Sequence, residues 1–399
     1  MGIYIDLLVS RSVTKNEWES VYEEALELVR QLPLAEYRRT SIHGVDTYCL
    51  VRTDERTDRL ERDGHEVVKC GWRTSGDYET MHSGESYYLP RTLTGEDDPD
   101  PEAGDAILGA FPAYLDYEWE DKKYSGVYRL WGNKTQGEPY HMYLLAVAAL
   151  IESRLGKKAF TYGDITKGQF RYAVELANRY LKDKIDLPDR CDAKRLADRI
   201  SELQLTEFEK ARAFEEFYLG NKDAEFGEYI RSRYSATALN EYWRDRFKDF
   251  SMDNIAGSRA VRDYLLWGFG LRELCGFADP GKDSEGSGCE TFIRGIMDTK
   301  LHWKEKDCSD PLRIDQEKEG LYSIYTQLAQ VFYAAAANKK VDRYIPIGII
   351  RTELTEGLTG VKCDVNAVID RYLEEEAAKA QKETPYNTSG KSILGEAGA

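Results

Sequence analysis

Two glutamate and histidine pairs stand at Glu-x-x-His spacing, Glu79 with His82 and Glu138 with His141. On a helix this spacing puts a carboxylate and an imidazole on one face, as two-metal carboxylate bundles require. Such a centre also needs carboxylates from facing helices, and Glu79 falls where no helical pattern runs. With 71 acidic residues and five histidines in the chain, two such spacings arise from composition alone. The seven cysteines are scattered and include no C-x-x-C pair. The reading is therefore of reduced thiols, with no metal and no cofactor.

Gly132-Asn133-Lys134-Thr135-Gln136-Gly137 leads straight into an apolar segment. Backbone amides at a helix start, with Lys134 and Thr135 beside them, are the elements of an anion cradle. It is not a P-loop, because Glu138 and Pro139 follow the second glycine where Lys and Ser or Thr are required. A second ligand-binding candidate is Trp72 with Arg73, on the Gly-punctuated stretch Gly71–Tyr78, which reads as a surface bend. A third feature, Gly286-Ser287-Gly288-Cys289, would place a thiol at a helix start, where the dipole favours thiolate. No G-x-S-x-G, H-E-x-x-H or G-x-G-x-x-G pattern accompanies these groups.

Local patterning predicts the elements that must position them. Ile3, Ile5, Leu7 and Val9 alternate with Tyr4 and Asp6, the period of a strand with one buried face. Thr14 with Glu17, Thr166 with Gln169 and Thr206 with Glu209 have the form of capping boxes, each ahead of an apolar stripe at helical spacing. Residues 37–42 and 45–52 should pair across His43-Gly44, while 66–74 and 87–89 look extended. The run Met142–Ile151 is almost wholly apolar, yet shorter than the ~20 residues a bilayer crossing needs, so it is a buried core helix. Further helices are expected at 223–233, 237–247, 258–274, 289–298, 316–338 and 365–378. The expected architecture is α+β. A small N-terminal α+β domain (1–95) precedes an acidic linker (96–106), a larger irregular all-helical domain (107–378) and a disordered tail (379–399).

A net charge of -16 repels phosphate backbones and anionic headgroups, so neither nucleic acid nor membrane is an expected partner. The default compartment is the cytoplasm. The leading expectation is a protein-binding or regulatory protein that meets another protein, in which tyrosine and tryptophan supply the contact energy. The alternative is a hydrolase-type enzyme on a small molecule or peptide at the domain junction, with catalytic groups drawn from Asp77, His82, Glu138, His141 and Asp164. Convergence of those groups is what would distinguish the two.

Overall fold

The computed structural model describes residues 3–62, 65–93, 100–113, 126–248, 251–252, 255–280, 287–306 and 340–383. The described residues form two compact units, one within Met1–Asn221 and the other beginning at Lys222. The first carries the strands and the second is helical, which makes the protein α+β with a helical C-terminal part.

In chain order the first unit starts with β1 (Tyr4–Ser10), α1 (Lys15–Gln31), β2 (Leu34–Ile42), β3 (Val45–Arg52), β4 (Arg56–Arg62), β5 (His65–Asp77) and β6 (Ser83–Pro90). It continues with β7 (Val127–Lys134), α2 (Tyr140–Leu155), β8 (Ala159–Gly163), α3 (Lys167–Tyr180), α4 (Ala193–Ser201) and α5 (Glu207–Phe217). β1 lies between β7 and β8 in a three-stranded antiparallel sheet. β1 was expected to bury one face, but Asp6, Leu8 and Ser10 on the other face are buried too. Ile5, Leu7 and Val9 join one core with Trp18 and Tyr22 of α1, Leu144 and Leu145 of α2 and Phe170 and Ala173 of α3. Thr14, Thr166 and Thr206 each accept from the backbone at N3 while the Glu or Gln there reaches back, so the three capping boxes form at α1, α3 and α5. The α2 segment is buried along nearly its whole length, as a helix apolar on all sides must be.

The boundary near 96–106 is not where the units divide. β7 and β8 lie beyond it, yet both are hydrogen-bonded to β1. Asp105, counted with the linker, is bonded to Arg199 of α4. Residues 94–99 are outside the described residues. Acids and prolines cluster there, but a composition shift says nothing about pairing between strands more than a hundred residues apart.

The second sheet is antiparallel in the order β3-β2-β5-β4, with β6 also on β5. The hairpin across His43-Gly44 forms with Ile42 opposite Val45. The β2–β5 ladder runs through Leu34 and Ala35, so most of the β2–β3 hairpin is paired within itself. The stretch Gly71–Asp77, expected as a bend, is the end of β5. Its glycines serve close packing instead of turning. A Cβ at Gly71 would meet the Leu89 carbonyl at 2.3 Å and one at Gly76 the His82 carbonyl at 2.5 Å, which is the other reason for glycine inside a strand. β4 has no counterpart in the expected elements.

The second unit contains α6 (Ala224–Arg233), α7 (Ala236–Arg246), α8 (Ile255–Leu266), α9 (Leu271–Ala278), α10 (Ser287–Asp298), α11 (Ile347–Gly357) and α12 (Val365–Glu383). α9 packs on α11, and α10 on α12. A single helix over 258–274 was the expectation, but α8 stops in a Schellman motif. Gly268 takes φ +84°, its N–H reaches Leu265 O, and Phe269 N–H reaches Tyr264 O. The Tyr264 and Phe269 rings then pack 5.0 Å apart, the hydrophobic contact that accompanies this cap. α11 was not expected, and the expected helix at 316–338 lies outside the described residues. α12 runs to Glu383, past the expected start of the tail at 379, and residues 384–399 are outside the described residues. Among the described residues no helix is long and apolar enough to cross a membrane.

Candidate functional site

The turn from β7 into α2 holds most of the sequence candidates. Two consecutive left-handed residues, Gln136 at φ 58° and Gly137 at φ 73°, reverse the chain there. The amides expected to cradle an anion are engaged. Lys134 N–H donates to the Glu85 carboxylate at 2.8 Å. Thr135 N–H donates to Ile3 O and Glu138 N–H to Thr135 O. The Lys134 ammonium lies over the Tyr4 ring, 5.5 Å from its centre. With these amides already bonded to a carboxylate and to carbonyls, they offer an anion no open donor, which weighs against the anion-cradle reading of Lys134 and Thr135.

His141, in the first turn of α2, is buried, and its Nδ1 is 2.7 Å from the Thr135 hydroxyl. Thr135 Oγ1 is also 3.3 Å from Ile3 O. Burial lowers the His141 pKa to about 4, so the ring is neutral. Both contacts are satisfied when Nδ1–H donates to Thr135 Oγ1 and the hydroxyl donates onward to Ile3 O. The threonine proton then rests on a carbonyl, and the pair fastens α2 to β1 in place of activating a nucleophile.

The structure joins His82 of one Glu-x-x-His spacing to Glu138 of the other. His82 Nδ1 contacts Glu138 at 2.8 Å, and both side chains are solvent-accessible, whereas Glu79 gives its N–H to Asp77 Oδ1 at 2.7 Å. Asp77 is buried and also accepts from Thr80 N–H at 3.2 Å, the Asx-turn geometry that closes the β5–β6 connection. Among the described residues no three His, Cys, Asp or Glu side chains gather into a metal-binding group. Asp164 lies elsewhere. Its carboxylate accepts Tyr4 N–H at 3.0 Å, and burial raises its pKa. The potential catalytic groups are thus divided among a buried Thr135–His141 pair, an exposed His82–Glu138 pair beside the Asp77 turn, and Asp164 on Tyr4.

Trp72 is wholly buried, edge-on to Trp131 at 6.0 Å, so it packs the core and presents nothing to a ligand. Arg73 is exposed, with its guanidinium over the Tyr88 ring at 5.8 Å. Cys289 is buried in α10, so its thiol is not presented to a substrate.

Sequence reasoning missed three features. The first is a buried ionic network. Arg199 Nε and Nη2 grip Asp105 at 2.9 and 2.7 Å. Nη1 lies 3.8 Å from Glu152 and 3.4 Å from Asp189. Burial raises the Glu152 pKa and Arg199 opposes it. The second, in the other unit, joins α10 to α12. Lys300, left-handed at φ 57°, contacts Tyr372 and Glu376. Tyr372 OH donates to Asp298 at 2.9 Å, and His302 approaches Glu376 at 3.4 Å. The partners in both networks lie too far apart in the chain for spacing to signal them.

The third is a surface. On the β2–β3 hairpin Tyr37 faces Leu50 and Arg39 faces Tyr48, so Tyr37 and Tyr48 are diagonal neighbours on one face. They are 49% and 67% exposed, and Val45 at the tip is 67% exposed. The Tyr37 hydroxyl is 3.1 Å from that of Ser83, which ties the hairpin base to the turn carrying exposed Tyr78 and Met81. The pairing of 37–42 with 45–52 was readable, but which face stayed uncovered was not. No protein-family model, curated protein or solved structure matches this chain.

Proposed function

We propose that this chain is a protein-binding protein that meets its partner through the β2–β3 hairpin and the adjoining turn at 78–83. The supporting observation is the exposed Tyr37–Tyr48 pair on a hairpin whose outer strand, among the described residues, pairs with β2 alone. Large aromatics normally go inside, as Trp18, Trp72 and Tyr87 do here. Exposed tyrosines on a rigid ribbon are the anchors that interfaces favour, and an unpaired strand edge can accept a strand from the partner. The charge balance argues against nucleic acid and anionic membrane as the partner, and the scattered cysteines fit the cytoplasm. A hydrolase-type enzyme draws less support, because Asp77, His82, Glu138, His141 and Asp164 do not meet at one point.

Affinity capture with the full chain and with a Tyr37→Ala/Tyr48→Ala variant tests the reading. A partner held stoichiometrically by the wild type and lost by the variant, with the melting temperature unchanged, is the expected result. A partner held equally by both would remove the hairpin from the interface.

A further inference from the structure

Most arginines that make a side-chain bond among the described residues of this acidic chain face carboxylates, as Arg30 does Asp54 and Arg294 does Glu375. Arg231 and Arg343 do not. Both reach the cap of α8 and bond to backbone oxygen. Arg231 Nη1 donates to Trp267 O at 2.7 Å. Arg343 Nη1 donates to Phe269 O at 2.5 Å and Leu265 O at 3.3 Å. Neither has a carboxylate within ion-pair distance among the described residues.

We propose that Arg231 and Arg343 form an oxyanion-binding site at the α8 cap, suited to a phosphate monoester group. The carbonyls take one nitrogen of each guanidinium. Nε and Nη2 of both have no partner among the described residues, and a pair of planar forks is the geometry that grips phosphate oxygens. Arg231 is oriented by the Phe269 ring, 4.9 Å beneath it. Gly268 leaves that guanidinium uncovered, since a Cβ there would lie 3.4 Å from Arg231 Nη2. Both arginines are solvent-accessible, Arg343 partly so.

The electrostatics agree. A helix C-terminus carries about half a negative charge, less than two guanidiniums. The Glu353 carboxylate, bonded to Leu271 N–H at 2.9 Å, acts on Arg343 and offsets part of the excess. Lys306, whose ammonium donates to Arg343 O at 2.6 Å, holds the backbone that carries this arginine. Burial lowers the Arg343 pKa, Glu353 opposes it, and the nearby Arg231 charge adds a smaller downward push.

Inorganic phosphate titrated calorimetrically into the full chain at low salt tests the site. Saturable one-to-one binding is expected, weakened at least tenfold by Arg231→Gln and by Arg343→Gln and unchanged by Arg30→Gln. If a glutamine variant fails to fold, Arg231→Lys and Arg343→Lys, which keep the charge but lose the fork, should still weaken binding severalfold. A phosphoserine peptide run in parallel separates the sources. Tighter binding than phosphate points to a modified protein, and equal binding to a small phosphate ester. Absence of saturable binding, or equal affinity in wild type and the Arg231 and Arg343 variants, overturns the proposal. The hairpin reading is untouched by either result.

Discussion

His141 and Thr135 are joined side chain to side chain at 2.7 Å, with both groups buried between β1 and the first turn of α2. An imidazole in that position is stable while neutral. Its pKa falls from 6.5 to about 4 on folding. The unfolded chain therefore takes up a proton at higher pH than the folded one, and stability present above pH 6.5 is lost as pH falls toward 4. The loss amounts to about 3 kcal/mol at 1.36 kcal/mol per pH unit. Urea melts of wild type and His141→Asn across that window should differ by this slope, the variant lacking it. Parallel curves would mean that the ring is solvated in solution.

Removing Arg199 takes from Asp105 the guanidinium that grips it and leaves buried Glu152 to the more weakly acting Arg190. Breaking a buried ion pair from one side costs about 3 to 5 kcal/mol, so Arg199→Ala should lower stability by that much in a denaturant melt. A loss below about 1 kcal/mol would place the group in water, as for surface pairs.

Leu145 is wholly buried in α2. Leu145→Ala should destabilise by about 2 to 5 kcal/mol through lost transfer energy and the cavity left behind. A shift within about 0.5 kcal/mol, the range of surface changes, would show that α2 is not the core of this unit.

Thr166 caps α3 by accepting Gln169 N–H at 3.1 Å, and Gln169 returns the bond to Thr166 N–H at 3.0 Å. Thr166→Ala should cost about 1 kcal/mol, and Thr166→Ser much less, since the hydroxyl rather than the methyl group makes the cap. Equal costs for the two substitutions would assign the effect to packing.

What the sequence determined by itself was local. A capping box needs two side chains three residues apart, an amphipathic stripe repeats within a few residues, and a hairpin is set by its turn. The starts of α1, α3 and α5, the buried α2 and the β2–β3 pairing were therefore all legible. The tertiary structure decided what depends on contacts far apart in the chain. It placed β7 and β8 beside β1, brought Asp105 to Arg199, and turned Glu138 toward His82 instead of His141. It buried Trp72 and left Tyr48 in solvent, although both are large aromatics within strands. The reason is physical. Backbone hydrogen bonds within a turn or helix and side-chain periodicity are fixed by spacing. Burial and charge pairing depend on which distant surface arrives opposite, and no short-range pattern carries that information.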